Sequence, residues 1–360
     1  MAKVPFYVDW LGAGLDKFPT TLQKLGNLET KLLKYDINTL KIEKPVFICG
    51  MARGGSTILL EFLNNHKDFC SYQYGDYPYL HANYFWNTLK ILTPSGDKKV
   101  ERAHKDGIFV NAKSPESLDE ILWMHFFKDI HKTEISNILD GATENPDFEA
   151  FYKDSLLKLM ALRKAPRIAF KNNYHSARIL YLKKLFPDAR FIIPFRNPVD
   201  HIFSLIKQHK FISAEQDNDP RAGRYMRRNG HFEFGNDYRP VNFGNTAKTN
   251  DILKSFENGK IVETYAKSWN ETYSYILKLI ESEASLKENI SVVHYDALLE
   301  APKETLQALQ NFVDVEDQEL LETFSAKIRK PDYYKNDFTN EDIKTIETIT
   351  SKTVYAYKKL

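Results

Sequence analysis

The stretch Lys44 to Leu60, KPVFICGMARGGSTILL, constrains the fold more than any other part of the chain. Val46, Phe47, Ile48 and Cys49 form a short apolar run with strand-forming residues, and Pro45 sits at its start, where a missing N–H is tolerated. Gly50, Gly54 and Gly55 then permit backbone angles closed to other residues. Ser56 and Thr57 suit the start of a helix, and Ile58, Leu59, Leu60, Phe62 and Leu63 suit its burial. A strand, a tight loop and a helix start in that order aim several backbone N–H groups at one point beside the positive end of a helix dipole. That arrangement favours a phosphate or a sulfate.

The spacing is close to the nucleotide-binding P-loop, Gly-x4-Gly-Lys-Ser/Thr. Gly50, Gly55 and Thr57 match, but Ser56 occupies the Lys position. That Lys normally reaches the β- and γ-phosphates of a nucleotide, so its absence argues against an ATPase or GTPase. A cation remains within the loop at Arg53. The competing reading is a glycine-rich turn with no ligand.

Composition limits the remaining choices. A chain of 360 residues with 42% hydrophobic and 27% charged residues is ordinary globular protein, read as a single domain spanning 1–360. A formal charge of +2 is too small for bulk nucleic-acid binding, so any anion site is local. The two cysteines, Cys49 and Cys70, imply neither a disulfide scaffold nor a zinc cluster. The sequence shows neither a secretory leader nor a long apolar run, which points to a cytoplasmic protein without stable membrane insertion.

Further strands are expected at Arg167–Lys171, Arg190–Phe195 and Ile290–His294, with helices at Ala177–Leu185, Val199–Lys207 and Ile261–Glu281. This alternation implies an α/β fold, a central parallel sheet flanked by helices, P-loop NTPase-like, with a helical insertion at 87–165. Ligands on such sheets sit at the carboxyl ends of the strands. Arg53, Lys171 and Arg196 each fall at such an end, which points to one shared anionic site. The Tyr-rich stretch Asp68 to Trp86 is either a pocket wall or a core strand with its turn. The stretch 211–250 holds six Gly or Pro and five Arg, and reads as a lid or acceptor-recognition loop, or as a solvated insertion.

Taken together, these motifs resemble the sulfotransferases that use 3′-phosphoadenosine 5′-phosphosulfate (PAPS). Lys44 to Thr57 is similar to the family's 5′-phosphosulfate loop, with Gly50, Arg53, Gly55 and Thr57 matching. Pro194 to Ser204, PFRNPVDHIFS, is similar to its 3′-phosphate element, with Arg196, Pro198 and Ser204 matching. Lys171 to His175, KNNYH, resembles a Lys-x-Pro-x-His segment, with Asn173 in place of Pro, and Trp269 to Leu277 resembles the family's Trp helix. Tyr295 and Asp296 match a strand end and are read as structural. Arg329 to Thr339 resembles a C-terminal phosphate segment with Pro331 in place of Gly.

The resemblance implies in-line transfer of a sulfuryl group from PAPS to a hydroxyl or amine, without a metal. It implies donor binding by Arg53, Gly54, Gly55, Ser56, Thr57, Arg196, Ser204, Arg329 and Lys330. Arg53 and Lys171 would balance charge at the transferring group. Relatives place a general base after the first helix or in the covering insertion, which here selects Asp76, with His81 and His175 behind it. Beside Gly75, Asp76 also suits a turn. The acceptor class stays open among small molecules, carbohydrates and lipids. The alternatives are a P-loop kinase or NTPase and a non-catalytic nucleotide-binding relative.

Overall fold

β1 (Val46–Cys49) runs through the middle of the molecule with all four residues buried. In this computed structural model, residues 9–10, 12–14, 17–90, 100–101, 109–329 and 336–360 are described. Around β1 the chain places α1 (Pro19–Leu32), α2 (Ser56–Asn65), β2 (Phe69–Cys70), α3 (Asn83–Lys90), α4 (Glu120–Phe126), α5 (Pro146–Arg163), β3 (Arg167–Asn172), α6 (Ile179–Leu185) and β4 (Arg190–Phe195). There follow α7 (Pro198–Asn218), α8 (Pro220–Arg228), α9 (Thr246–Glu257), α10 (Ile261–Ser282), β5 (Ile290–His294), α11 (Pro302–Phe312), α12 (Gln318–Ser325) and α13 (Asn340–Tyr357).

The five strands form one parallel sheet in the order β2-β3-β1-β4-β5. Ile48 lies level with Lys171 of β3 and Ile192 of β4, so β1 and β3 end together while β4 runs on to Phe195. β1 is apolar on both faces because both are covered. Phe47 and Cys49 enter a core shared with α5, α6, α7 and α10, while Val46 and Ile48 meet Leu59, Leu60 and Leu63 of α2. Full burial of a side chain such as Phe47 contributes about 1.5–3 kcal/mol. Cys49 and Cys70 are both free and buried, consistent with packing roles. Among the described residues no helix is long and apolar enough to cross a membrane.

Two stretches differ from the sequence expectation. Within 87–165, α5 is part of the main core rather than a cover: Phe148, Phe151, Tyr152, Leu156 and Leu159 are buried, and the helix packs on β2, β3 and α1. The stretch 211–250 is helical over much of its length. α7 runs on to Asn218, and Asp219 then accepts from the N–H of Arg221 to cap α8, with Pro220 in its first turn. Asp-Pro reads as a break, but the same pair starts a new helix because its fixed backbone angle and side-chain acceptor suit that position. Buried Phe232, Phe234 and Tyr238 anchor the coil that follows.

A buried polar cluster joins α4 to the end of β3. Glu120 accepts from both Nη atoms of Arg178 at 2.7 and 2.8 Å and from Asn172 at 2.8 Å, and lies 2.7 Å from His131. Neighbouring Asp119 accepts from Trp123 Nε1, Tyr152 and Asn172, and lies 2.9 Å from His175. Burial pushes the Glu120 carboxyl up, but Arg178 and His131 outweigh it and hold it well below the usual carboxylate range. A depressed carboxylate contributes stability at neutral pH that is lost on acidification through its folded-state value. Glu120→Ala strands Arg178 without its fork and is expected to cost about 3–5 kcal/mol, measured by urea denaturation.

Candidate active site

The loop between β1 and α2 takes three turns that few side chains tolerate. Gly50, Arg53 and Gly55 have φ of +144°, +66° and +102°. For Arg53, which carries a Cβ, the left-handed conformation is strained and needs support from its surroundings. Gly55 has a second constraint: a Cβ there would stand 2.8 Å from Cδ2 of Tyr295. α2 starts at Ser56 with no side chain capping it. Its first turn therefore presents backbone N–H groups and the positive end of the dipole beside the loop.

Supports for the loop come from β4, α7 and α10. Arg196, one residue past β4, donates from Nη1 to the carbonyl of Arg53 at 3.2 Å. Its guanidinium lies over the Tyr295 ring, 4.7 Å from the centroid. Ser204, on the second turn of α7, accepts from Nε of Arg53 at 3.2 Å. His201 on α7 donates from Nε2 to the carbonyl of Ala52 at 2.7 Å, and its Nδ1 accepts from Trp269 Nε1 of α10 at 3.2 Å. These two bonds select the neutral tautomer. Burial, with Arg196 and Arg53 nearby, pushes the His201 imidazole down to about 3. Tyr273, also on α10, donates to the carbonyl of Pro194 at 2.9 Å and is itself bonded from Tyr357 of α13 at 3.1 Å.

A mixed-charge cluster stands on the β3 side. Lys171 donates from Nζ to Thr57 Oγ1 at 3.1 Å and is paired with Glu116 at 3.2 Å. A cation from β3 thus reaches the first turn of α2, where the sequence has Ser56 in place of the P-loop Lys. Burial pushes the Glu116 carboxyl up, but Lys171, Tyr74, the Ser117 N–H and His231 outweigh it and hold it well below the ordinary range. Beside it, Glu233 lies 3.1 Å from His231 and accepts from Asn173 and from the Tyr174 hydroxyl, both at 3.1 Å. Burial lowers the His231 imidazole, but Glu233 and Glu116 raise it further, so its net direction is up.

The expected residues are distributed unevenly. Arg53, Gly54, Gly55, Ser56, Thr57, Lys171, Arg196 and Ser204 lie in or against the loop. Arg329 is exposed beyond α12, and Lys330 falls outside the described residues. Asp76 is fully buried: it accepts from Arg163 at 2.6 Å, from Asn87 at 2.9 Å and from the N–H of Gln73 at 2.8 Å. These contacts give it the turn-holding role rather than access to an acceptor. His81 is buried against His125 and Phe151, and burial pushes it down to about 3. His175 is buried against Phe47 and Trp123, close to Asp119. Glu116, His231 and Glu233 were not singled out from the sequence because no local motif marks them. They reach the site through contacts between distant segments.

A parallel sheet with a glycine loop between its central strand and the next helix defines an α/β protein of the P-loop type. The sequence pattern of the Sulfotransferase family matches residues 45–227, slightly more than half of the chain. The chain belongs to that family. Among solved structures it is similar to the sulfotransferase STF9 from Mycobacterium avium, with 14% identity, 91% of this chain and 81% of that one covered, and a TM-score of 0.54. It is also similar to the sulfotransferase STF1 from Mycobacterium tuberculosis, with 13% identity, 96% and 86% covered, and a TM-score of 0.51. At these identities the likeness is one of fold. No curated protein matches the chain significantly.

Asp76→Ala leaves Arg163 without its buried partner and is expected to lower stability by about 3 kcal/mol in urea denaturation, with the loop untouched. Gly55→Ala combines a disfavoured angle with the Tyr295 clash, and is expected to cost about 1–3 kcal/mol by the same measurement.

Proposed function

We propose that the protein transfers a sulfuryl group from PAPS to a hydroxyl or amine of its acceptor, in line and without a metal. The observation that carries this reading is the meeting of two anion elements. Arg196 and Ser204 both bond Arg53 of the loop, so one ligand with phosphates at two positions can span them. A nucleoside triphosphate has no use for the second position, and the loop lacks its Lys at position 56. The side chains offered are Arg53, Lys171, Arg196, Ser204 and Thr57, cations and hydroxyls that fit two phosphates. The donor supplies the activated sulfuryl group.

The loop N–H groups from Gly54 to Thr57 hold the 5′-phosphosulfate in this reading, and Arg196 with Ser204 holds the 3′-phosphate. Arg329 and Lys330 remain candidates for that same phosphate. Arg53 and Lys171 neutralise charge that builds up on the bridging oxygen and the transferring group. Positioning and charge neutralisation do most of the work, as in phosphoryl transfer. The base falls to Glu116 rather than Asp76. Its carboxylate is kept weakly basic chiefly by Lys171. As Lys171 turns its charge to the transferring group, burial dominates and Glu116 becomes a stronger proton acceptor for the attacking hydroxyl.

Titration calorimetry with adenosine 3′,5′-bisphosphate is expected to show tight binding that weakens ~10-fold or more in Arg196→Ala, from loss of a charge-assisted contact. Preference for ATP with Mg²⁺, and indifference to the 3′-phosphate, would overturn the reading. Glu116→Gln is expected to lower kcat by roughly 10²–10⁴ with bisphosphate affinity retained. Unchanged turnover would move the base elsewhere.

A further inference from the structure

A cavity of about 530 Å³ is walled by the N-terminal segment, α1, Tyr77 and Pro78, α4 and α8. Its body is apolar, with Leu22, Ile121 and Met124 among its walls, and one side carries Arg224, Arg227 and Arg228. Arg227 is paired with Asp237 at 2.6 Å. The other two arginines converge on a single carboxylate. Arg224 grips Asp9 with two bonds, Nε to Oδ1 at 3.1 Å and Nη2 to Oδ2 at 2.7 Å. Arg228 donates to the same Oδ1 at 2.7 Å and to the Asp9 carbonyl at 3.2 Å. Asp9 reaches them from more than 200 positions away in sequence, on a short segment at the rim of the cavity. Gly12 lies close behind it: a Cβ there would stand 3.0 Å from Arg228 and 3.1 Å from the Tyr77 hydroxyl.

A second observation comes from another lining residue. His81 lines the cavity with 4% of its surface exposed, and among the described residues neither of its ring nitrogens has a hydrogen-bond partner. A buried polar group left in this state marks a position where a ligand atom or water would be bonded. From the cavity wall a short chain of residues leads towards the cluster. Tyr77 packs on Tyr225 of α8 with centroids 5.1 Å apart, Tyr225 feels the Glu116 charge, and His231 follows α8 by three residues.

Resting on the sulfuryl-transfer reading, we propose that this cavity receives the acceptor, and that the acceptor carries a carboxylate on an apolar body. Arg224 and Arg228 take that carboxylate in exchange for Asp9, the apolar walls cover the body, and the acceptor hydroxyl points along α8 towards Glu116. Asp9 is then an internal stand-in that competes with the acceptor. The specificity follows from geometry: two guanidinium groups already hold one carboxylate, one of them with a two-point grip.

The test is titration calorimetry without any donor nucleotide, so its result is separate from the bisphosphate titration. The probes are 10-hydroxydecanoate and 3-(4-hydroxyphenyl)propionate, each beside its neutral diol counterpart. At least one acid is expected to bind ~10-fold more tightly than its diol. Arg228→Gln is expected to remove that preference. Asp9→Asn is expected to tighten acid binding several-fold and leave the diols unchanged, a gain that loss of folding cannot imitate. Equal affinity for acid and diol, no acid binding at all, or an Asp9→Asn variant with unchanged acid affinity would overturn the proposal. Bisphosphate binding with any of those results would leave the donor reading standing and reject the acceptor inference alone.

Discussion

The site depends on two bonds to backbone carbonyls, His201 to Ala52 and Arg196 to Arg53. A glycine-rich loop left to itself samples many conformations, and the left-handed Arg53 is costly for a residue with a Cβ. Those two bonds hold the loop from below by its acceptors. The donors of the loop and of the first turn of α2 can then be directed at an anion. The support is continuous with the rest of the fold. His201 is fixed by Trp269, and Tyr273 from the same helix holds Pro194 and is held in turn by Tyr357 of the last helix. A helix near the C-terminus thus helps set the geometry of a loop near residue 53.

Charge is arranged with similar economy. Arg196 bonds the loop at Arg53 and Lys171 reaches Thr57 at the start of α2, yet the formal charge of the chain is only +2. Local acids make this tolerable: Glu116 beside Lys171, and Glu233 beside His231. A pair such as Lys171 and Glu116 can redistribute when an anion arrives, because the lysine is shared between Thr57 and the carboxylate from the outset. His201 carries no charge, as its two bonds require, and so adds shape without adding to the repulsion among the arginines.

Much of this was legible in the sequence where local rules govern. β1 and the loop follow from an apolar run and closely spaced glycines. The placing of Arg53, Lys171 and Arg196 at or past the ends of the neighbouring strands β1, β3 and β4 follows from the parallel sheet. Ser204 lies two turns along α7, and the helical rise brings it back to Arg53. Other residues were decided by contacts between distant segments. Asp76 read locally as base or turn; Arg163, 87 positions later, buries it in an ion pair. Glu116 carries no motif and becomes important only because Lys171 stands beside it. α8 was hidden by a basic, Gly- and Pro-containing composition, although its cap, Asp219, and its Pro220 are ordinary helix-start signals.

The central claim is that one ligand spans two phosphate positions on this loop. Phosphorus-31 NMR of bound adenosine 3′,5′-bisphosphate tests it most directly, since its two phosphates give separate resonances. The account predicts that both resonances shift on binding to the wild type, and that in Arg196→Ala the 3′-phosphate returns towards its free position while the 5′-phosphate stays shifted. A 3′-phosphate resonance that stays at its free position in the wild type, or that moves identically in the variant, would contradict it.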